Sequence, residues 1–214
     1  MKKAFVIGGT GMVGVQLIKL LIETNEFSEV VSLVRRASGV KHPKLAEFII
    51  DFDKPETWGQ WVTGDVLFST LGTTLAKAKS KDNQYRIDFE YQYVTAQLAA
   101  KNGIASYVLV SSAGASSKST IFYSQMKGKL EDSVSLLPFK TISVLRPGQL
   151  DGERTEKRAG EKAGLSVMYF MNKLGLLKRY RPIQAEQVAR AMINAARKIE
   201  SASYTLAEMH KLAE

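Results

Sequence analysis

The chain has no cysteine. Disulfides and thiolate catalysis are therefore both excluded, and a reducing compartment is expected. Long apolar runs are missing too, since no stretch approaches the ~20 consecutive apolar residues of a membrane span. The start, Met1-Lys2-Lys3 and then Ala4-Phe5-Val6-Ile7, superficially resembles a secretory signal. Its apolar run stops at Gly8, short of the roughly 7–15 residues that such a region needs. The expectation is a soluble, cytoplasmic protein with no membrane partner. Repeats, low-complexity tracts and an obvious linker are also lacking, which favours one domain over residues 1–214.

The 214 residues are 45% hydrophobic and 24% charged, a globular balance long enough to bury a full sheet between helical layers. The formal net charge is +9. Basic residues cluster only modestly, at Lys77–Lys81, Arg154–Lys162 and Lys173–Arg181. A nucleic-acid partner would need a dense basic stripe with interleaved stacking aromatics, and none is expected. The charge fits a solvated basic surface or a site for an anionic ligand.

Short apolar strands alternate with segments of helical period. Ala4–Ile7, Val30–Val34, Phe48–Ile50, Val66–Ser69, Tyr107–Val110 and Thr141–Leu145 read as strands, apolar enough to be covered on both faces. Met12–Glu23, Lys81–Asn102, Phe122–Leu136 and Gln184–Lys198 read as helices, with Gly103 placed as a left-handed C-cap. The alternation predicts an α/β fold: a doubly wound parallel sheet in three layers, α/β/α. Gly148–Pro182 breaks the rhythm and is the expected substrate-facing excursion. The C-terminal part from about residue 148 to 214 is expected to contribute the substrate region.

The first strand runs into Gly8-Gly9-Thr10-Gly11-Met12-Val13-Gly14, which fits G-x-G-x-x-G from Gly9 and G-x-x-G-x-x-G from Gly8. A strand before it and a helix after it are the context in which free N–H groups and the positive dipole end receive a diphosphate. A side chain at Gly11 would occupy the space of that diphosphate, and Gly14 lets helix and strand pack closely. Many NAD sites carry an acidic residue at the end of the second strand. Here that strand ends in Arg35 and Arg36, guanidiniums suited to a 2′-phosphate, so NADP(H) is favoured over NAD(H). Asp51, after the third strand, reads either as an adenine-contacting residue or as a turn residue. Leu71, Gly72 and Thr73, after the fourth, would pass beside the adenine ribose and the nicotinamide half.

A second constellation follows. Ser111 and Ser112 end the fifth strand, and Tyr123 and Lys127 lie four residues apart on the next helix, on one face. A phenol is a poor proton carrier at neutral pH, and a neighbouring ammonium favours its ionised form. The lysine can also bond a nicotinamide ribose, and a serine at the strand end can hold a substrate carbonyl oxygen.

The pieces "GGTGMVG", "LVRR", "DF" at Asp51, "LGTT", "SSAGASSKSTIFYSQMKGKLE" and "VLRPGQL" together resemble the short-chain dehydrogenase/reductases. The likeness is closest to the atypical branch that includes NmrA-like proteins and the HIV Tat-interactive oxidoreductase. That resemblance implies a Rossmann domain binding NADP(H), with Tyr123 as acid/base, Lys127 as its partner and Ser112, ahead of Ser111, as the substrate-polarising serine. It also implies that the chain after Arg146–Gly148, including Leu150, passes the nicotinamide, and that Arg158 contacts the cofactor. Many active relatives carry an asparagine in the long fourth helix, where a proton relay begins; here Asp88 stands in that neighbourhood. Two functions follow from the resemblance. One is an NADP(H)-dependent reductase of a small carbonyl or enone. The other is a non-catalytic redox sensor that acts through a protein partner. Monomer and homodimer are both compatible.

Overall fold

The structure is a computed structural model and describes residues 1–151 and 182–214. Six parallel strands form the body of one sheet: β1 (Lys2–Ile7), β2 (Phe27–Val34), β3 (Leu45–Ile49), β4 (Val66–Ser69), β5 (Ser106–Val110) and β6 (Thr141–Leu145). Two further short strands, β7 (Leu150–Asp151) and β8 (Ile183–Gln184), pair parallel in a separate ribbon. A last strand, β9 (Ala202–Tyr204), completes the main sheet in the order β3-β2-β1-β4-β5-β6-β9. The chain order therefore reverses between β1 and β4, and the crevice outside their carboxyl ends is where such sheets bind ligands.

The strands are buried on both faces because their residues alternate between two cores. From β1, Ala4 and Val6 join one cluster while Phe5 and Ile7 join the other, and all four are fully buried. The first cluster is covered by Leu17, Ile18 and Leu21 of α1 (Met12–Glu23) and by Val188, Ala189 and Met192. These last three belong to a helix near the C-terminus. The second cluster is covered by Trp58 of α2 (Pro55–Trp58) and by Ala96, Ala99, Leu130 and Val134 of helices described below. Each large apolar side chain buried this way contributes about 1.5–3 kcal/mol.

Between β4 and β5 the helices are α3 (Leu75–Ala78), α4 (Lys81–Tyr85) and α5 (Tyr91–Lys101), and Arg86–Glu90 joins the last two as a π-helical stretch. The single long helix expected over Lys81–Asn102 is thus continuous in direction but widened at Asp88. Its end matches the expectation: Gly103 has φ +84°, and the N–H of Ile104 returns to the carbonyl of Ala99 at 2.9 Å. Among the described residues the later α-helices are α6 (Phe122–Ser135), α7 (Ala185–Ala195) and α8 (Leu206–Leu212). Residues from Ile183 onward return to the sheet: α7 packs on α1, and β9 extends the edge beside β6. Neither β9 nor the β7–β8 ribbon was legible in the sequence, since two- and three-residue strands carry no periodicity.

Candidate functional site

The glycine turn is built by contacts that exclude side chains. Gly8 sits at φ +80°, and a Cβ there would overlap the backbone of Leu71. A Cβ at Gly14 would overlap the carbonyl oxygen of Gly8, so the first turn of α1 can lie directly on the end of β1. The N–H of Gly11 closes the turn onto Gly8 O at 2.9 Å. Gly11 is the N-cap of α1; it supplies no side-chain cap, and the first helical turn contains no acidic residue. The helix therefore presents uncapped N–H groups and its positive dipole end at the β1–β4 crevice, an arrangement that fits a diphosphate.

Beyond the ends of β2 and β3 lies a cleft of about 460 Å³ lined by Arg35, Asp51, Phe52, Lys77, Arg86 and Tyr91, among others. Arg35 and Arg36 are both exposed, and of the two only Arg35 lines this cleft. Asp51 acts as a turn residue as well as a wall. Its Oδ1 accepts the N–H of Asp53 at 3.1 Å, and Lys54 Nζ stands 3.9 Å from its Oδ2. Asp53 accepts from the Tyr91 hydroxyl at 2.8 Å and pairs with Arg86 at 3.6 Å. Partial burial and then the Asp53 carboxylate push the Tyr91 phenol up to about 12.

Lys127 is buried on α6, only 3% exposed, and its Nζ lies 3.4 Å from Asp88 Oδ1, itself 1% exposed. Asp88 Oδ2 accepts the backbone N–H of Thr73 at 2.8 Å. A Cβ on Gly72 would come within 3.2 Å of Asp88 Oδ1, so the carboxylate sits tight under the Leu71–Thr73 loop. Burial raises the Asp88 carboxyl above the usual carboxylate range, with Lys127 and the Thr73 N–H pulling the other way. The main chain at Asp88 is fixed as well. Gln92 Nε2 donates to its carbonyl at 2.6 Å, and Ser69 Oγ donates to Gln92 Oε1 at 2.7 Å. Tyr123, one turn before Lys127, is 36% exposed and therefore reachable from outside.

The two serines differ. Ser111 is buried, and its hydroxyl donates to Glu131 of α6, which also holds the guanidinium of Arg146. Ser112 is half-buried, and its hydroxyl reaches only the neighbouring Ala113 carbonyl at 3.3 Å. The loop after it is pressed onto α6: the N–H of Ser116 donates to Ser124 O at 3.0 Å, and a Cβ at Gly128 would overlap the Ser116–Ser117 backbone. Gly128, Glu131 and Gln92 were not singled out from sequence. Their roles depend on contacts that no local spacing encodes.

Gly8, Gly9, Thr10, Gly11, Met12 and Val13 form the turn and the start of α1; Leu71, just past β4, abuts Gly8, while Gly72 and Thr73 lie against Asp88. Leu150 lies in β7, paired with Ile183. Arg158 and most of the expected excursion lie outside the described residues.

The sequence profile of an NAD(P)H-binding family matches residues 8–198. The chain is 35% identical over 199 residues to protein FMP52-1, mitochondrial, of Scheffersomyces stipitis, covering 90% of this chain and 87% of that one. With protein FMP52, mitochondrial, of Saccharomyces cerevisiae it shares 34% over 200 residues, covering 89% and 86%. Among solved structures, a Thermotoga maritima UDP-glucose 4-epimerase with UDP-glucose superposes at TM-score 0.69 and 16% identity, over 99% of this chain and 81% of the other. The Bordetella bronchiseptica enzyme WbmH with NAD+ gives 0.68 at 16%, over 96% and 75%. At these identities the structures establish the fold alone. One expectation is overturned: the relatives' names point to mitochondria, not to the cytoplasm. The lack of cysteine and of long apolar runs does not distinguish a cytoplasmic from a mitochondrial setting. Among the described residues no helix is long and apolar enough to cross a membrane.

Proposed function

This chain belongs to the NAD(P)H-binding family, in an atypical short-chain dehydrogenase/reductase form, and from that premise we propose an NADPH-dependent reductase of a small carbonyl or enone. The observation that carries the reading is the reachable Tyr123 phenol set one helical turn from the buried Lys127 ammonium. The nicotinamide, when bound, supplies hydride. The chain's own residues do the rest. Backbone N–H groups from Gly8 to Val13 hold the diphosphate, and Arg35 clasps the 2′-phosphate, with Arg36 outside that grip. Lys127 anchors the nicotinamide ribose and favours the ionised phenol, Ser112 donates a hydrogen bond to the carbonyl oxygen, and Tyr123 delivers the proton that oxygen needs. Leu150 would pass the nicotinamide, and Arg158 would contact the cofactor.

A non-catalytic redox sensor acting through a protein partner is the second reading. The Asp88 carboxylate favours it, because a buried anion at Lys127 offsets the field on which phenol activation depends. NADPH titration by fluorescence, followed by a carbonyl and enone panel, separates the two. The reductase consumes NADPH with some member of the panel, and Tyr123→Phe and Lys127→Ala each lose that activity. Binding without consumption supports the sensor, and variants as active as wild type would sink the Tyr123 mechanism.

A further inference from the structure

Arg35 and Arg36 are the only adjacent arginines in the sequence, and they stand three and two residues before Ser38, in "RRAS". Parallel strands are usually joined by a helix. The crossover from β2 to β3, residues 35–44, contains none. Arg36, Ala37, Gly39 and Val40 are exposed, and a Cβ added at Gly39 would meet nothing within 4 Å. Ser38 is half-buried in this loop. Its N–H donates to Glu47 Oε2 at 2.7 Å, and its Oγ accepts the Val40 N–H at 3.2 Å. Both bonds leave the hydroxyl proton uncommitted. Arg36, outside the cleft that Arg35 lines, has no part in the cofactor grip.

We propose that Ser38 is a phosphorylation site for a basophilic serine/threonine protein kinase, and that its phosphate competes with the cofactor 2′-phosphate for Arg35. A basophilic kinase reads guanidiniums two and three residues before the serine with its own carboxylates, and it takes an exposed, non-helical segment. In the transfer, Ser38 Oγ attacks the γ-phosphorus of ATP. The new P–O bond forms as the bond to the ADP oxygen breaks, ADP leaves, and the hydroxyl proton passes to the kinase's base. The product dianion is repelled by Glu47 and drawn to the arginines. Three residues of extended chain span at most roughly 10–11 Å, which an arginine and a phosphoserine bridge from their two ends. The competition rests on the cofactor reading above; the site itself does not.

The test treats the full chain with ATP and the catalytic subunit of the cyclic-AMP-dependent protein kinase, and locates phosphate by mass spectrometry. Calorimetry then measures NADPH and NADH on unmodified and phosphorylated protein, with thermal unfolding confirming that every form is folded. Ser38 is expected to take one phosphate, and Ser38→Ala none at that position. Arg36→Ala is expected to be phosphorylated at least about tenfold more slowly while binding NADPH within about threefold of wild type. Phosphorylation is expected to weaken NADPH roughly tenfold or more and NADH by less than about threefold. No phosphate on Ser38 of the folded chain overturns the site. Unchanged NADPH affinity after phosphorylation, or equal losses for NADPH and NADH, overturns the competition. Failure of the unmodified chain to bind NADPH overturns the cofactor reading and the competition together, and is distinguished by calorimetry before any kinase is added.

Discussion

Lys127 Nζ stands 3.4 Å from Asp88 Oδ1, and both side chains are almost fully buried. The pair joins α6 to the π-helical stretch and, through Thr73, to the loop after β4. Such a pair is weak support for stability, because desolvating two charges costs about what their attraction returns. Its value lies in geometry, since it fixes the Lys127 ammonium beneath the Leu71–Thr73 loop.

The same pair gives a pH-dependent stability of definite sign. Burial, the dominant influence, raises the Asp88 carboxyl above its ordinary value, and Lys127 and Thr73 offset this only in part. Between the ordinary value of about 3.9 and the raised native one, the folded chain holds a proton that the unfolded chain has released. Stability from this group is therefore present at the acid end and is lost as pH rises through that window. Asparagine has no proton to exchange there. The wild-type thermal midpoint minus that of Asp88→Asn should accordingly shrink as pH rises from about 4. A difference that widens with pH would mean that the ion pair, and not burial, governs Asp88.

The cleft beside β2 and β3 separates the two adjacent arginines. Arg35 lines it and Arg36 does not. The carboxylates in the same wall are already engaged, Asp51 with the Asp53 N–H and Lys54, Asp53 with Tyr91 and Arg86. They leave the Arg35 guanidinium open to a 2′-phosphate. Hydrogen bonds to charged groups are worth about 1.5–3 kcal/mol. Arg35→Ala should thus weaken NADPH roughly tenfold to hundredfold and leave NADH nearly unchanged, while Arg36→Ala should shift neither by more than about threefold. Calorimetry with both cofactors checks this. Equal losses for NADPH and NADH, or tighter NADH binding by wild type, would remove the preference for NADP(H).

Much of the sheet could be read from the chain because its signals are local. Val66–Ser69 and Thr141–Leu145 are apolar runs of strand length, Met12–Glu23 repeats Val13, Leu17 and Leu21 at helical spacing, and Gly103 ends its helix at φ +84°. The glycine turn was legible for the same reason. What escaped is non-local. Asp88 was visible as a departure from the expected asparagine, yet nothing in "RIDFEY" reveals that its carboxylate meets Lys127. Gly128 was just one residue in "MKGKLE" until the Ser116–Ser117 backbone was found lying across it. Ser111 and Ser112 are indistinguishable by type, and only the position of Glu131 separates them.

That separation makes the last prediction. Ser111 Oγ is spent on a buried carboxylate that also holds Arg146, so removing it strands part of an acceptor in the interior. Ser111→Ala should cost about 1.5–3 kcal/mol, a fall of roughly 3–12 °C in thermal midpoint for a chain of this size. Glu131→Gln should fall in the same range, because Arg146 then loses its counter-charge. Ser112 makes only a 3.3 Å contact with Ala113 and remains half-buried. Ser112→Ala should leave the midpoint within about 2 °C. If its hydroxyl holds a substrate oxygen, kcat/KM should drop roughly hundredfold, the scale seen when one such donor is removed. Thermal unfolding and steady-state kinetics on the three variants decide the matter. A Ser111→Ala protein that keeps its midpoint and loses turnover would reverse the assignment, since the buried serine would then be the one the substrate feels.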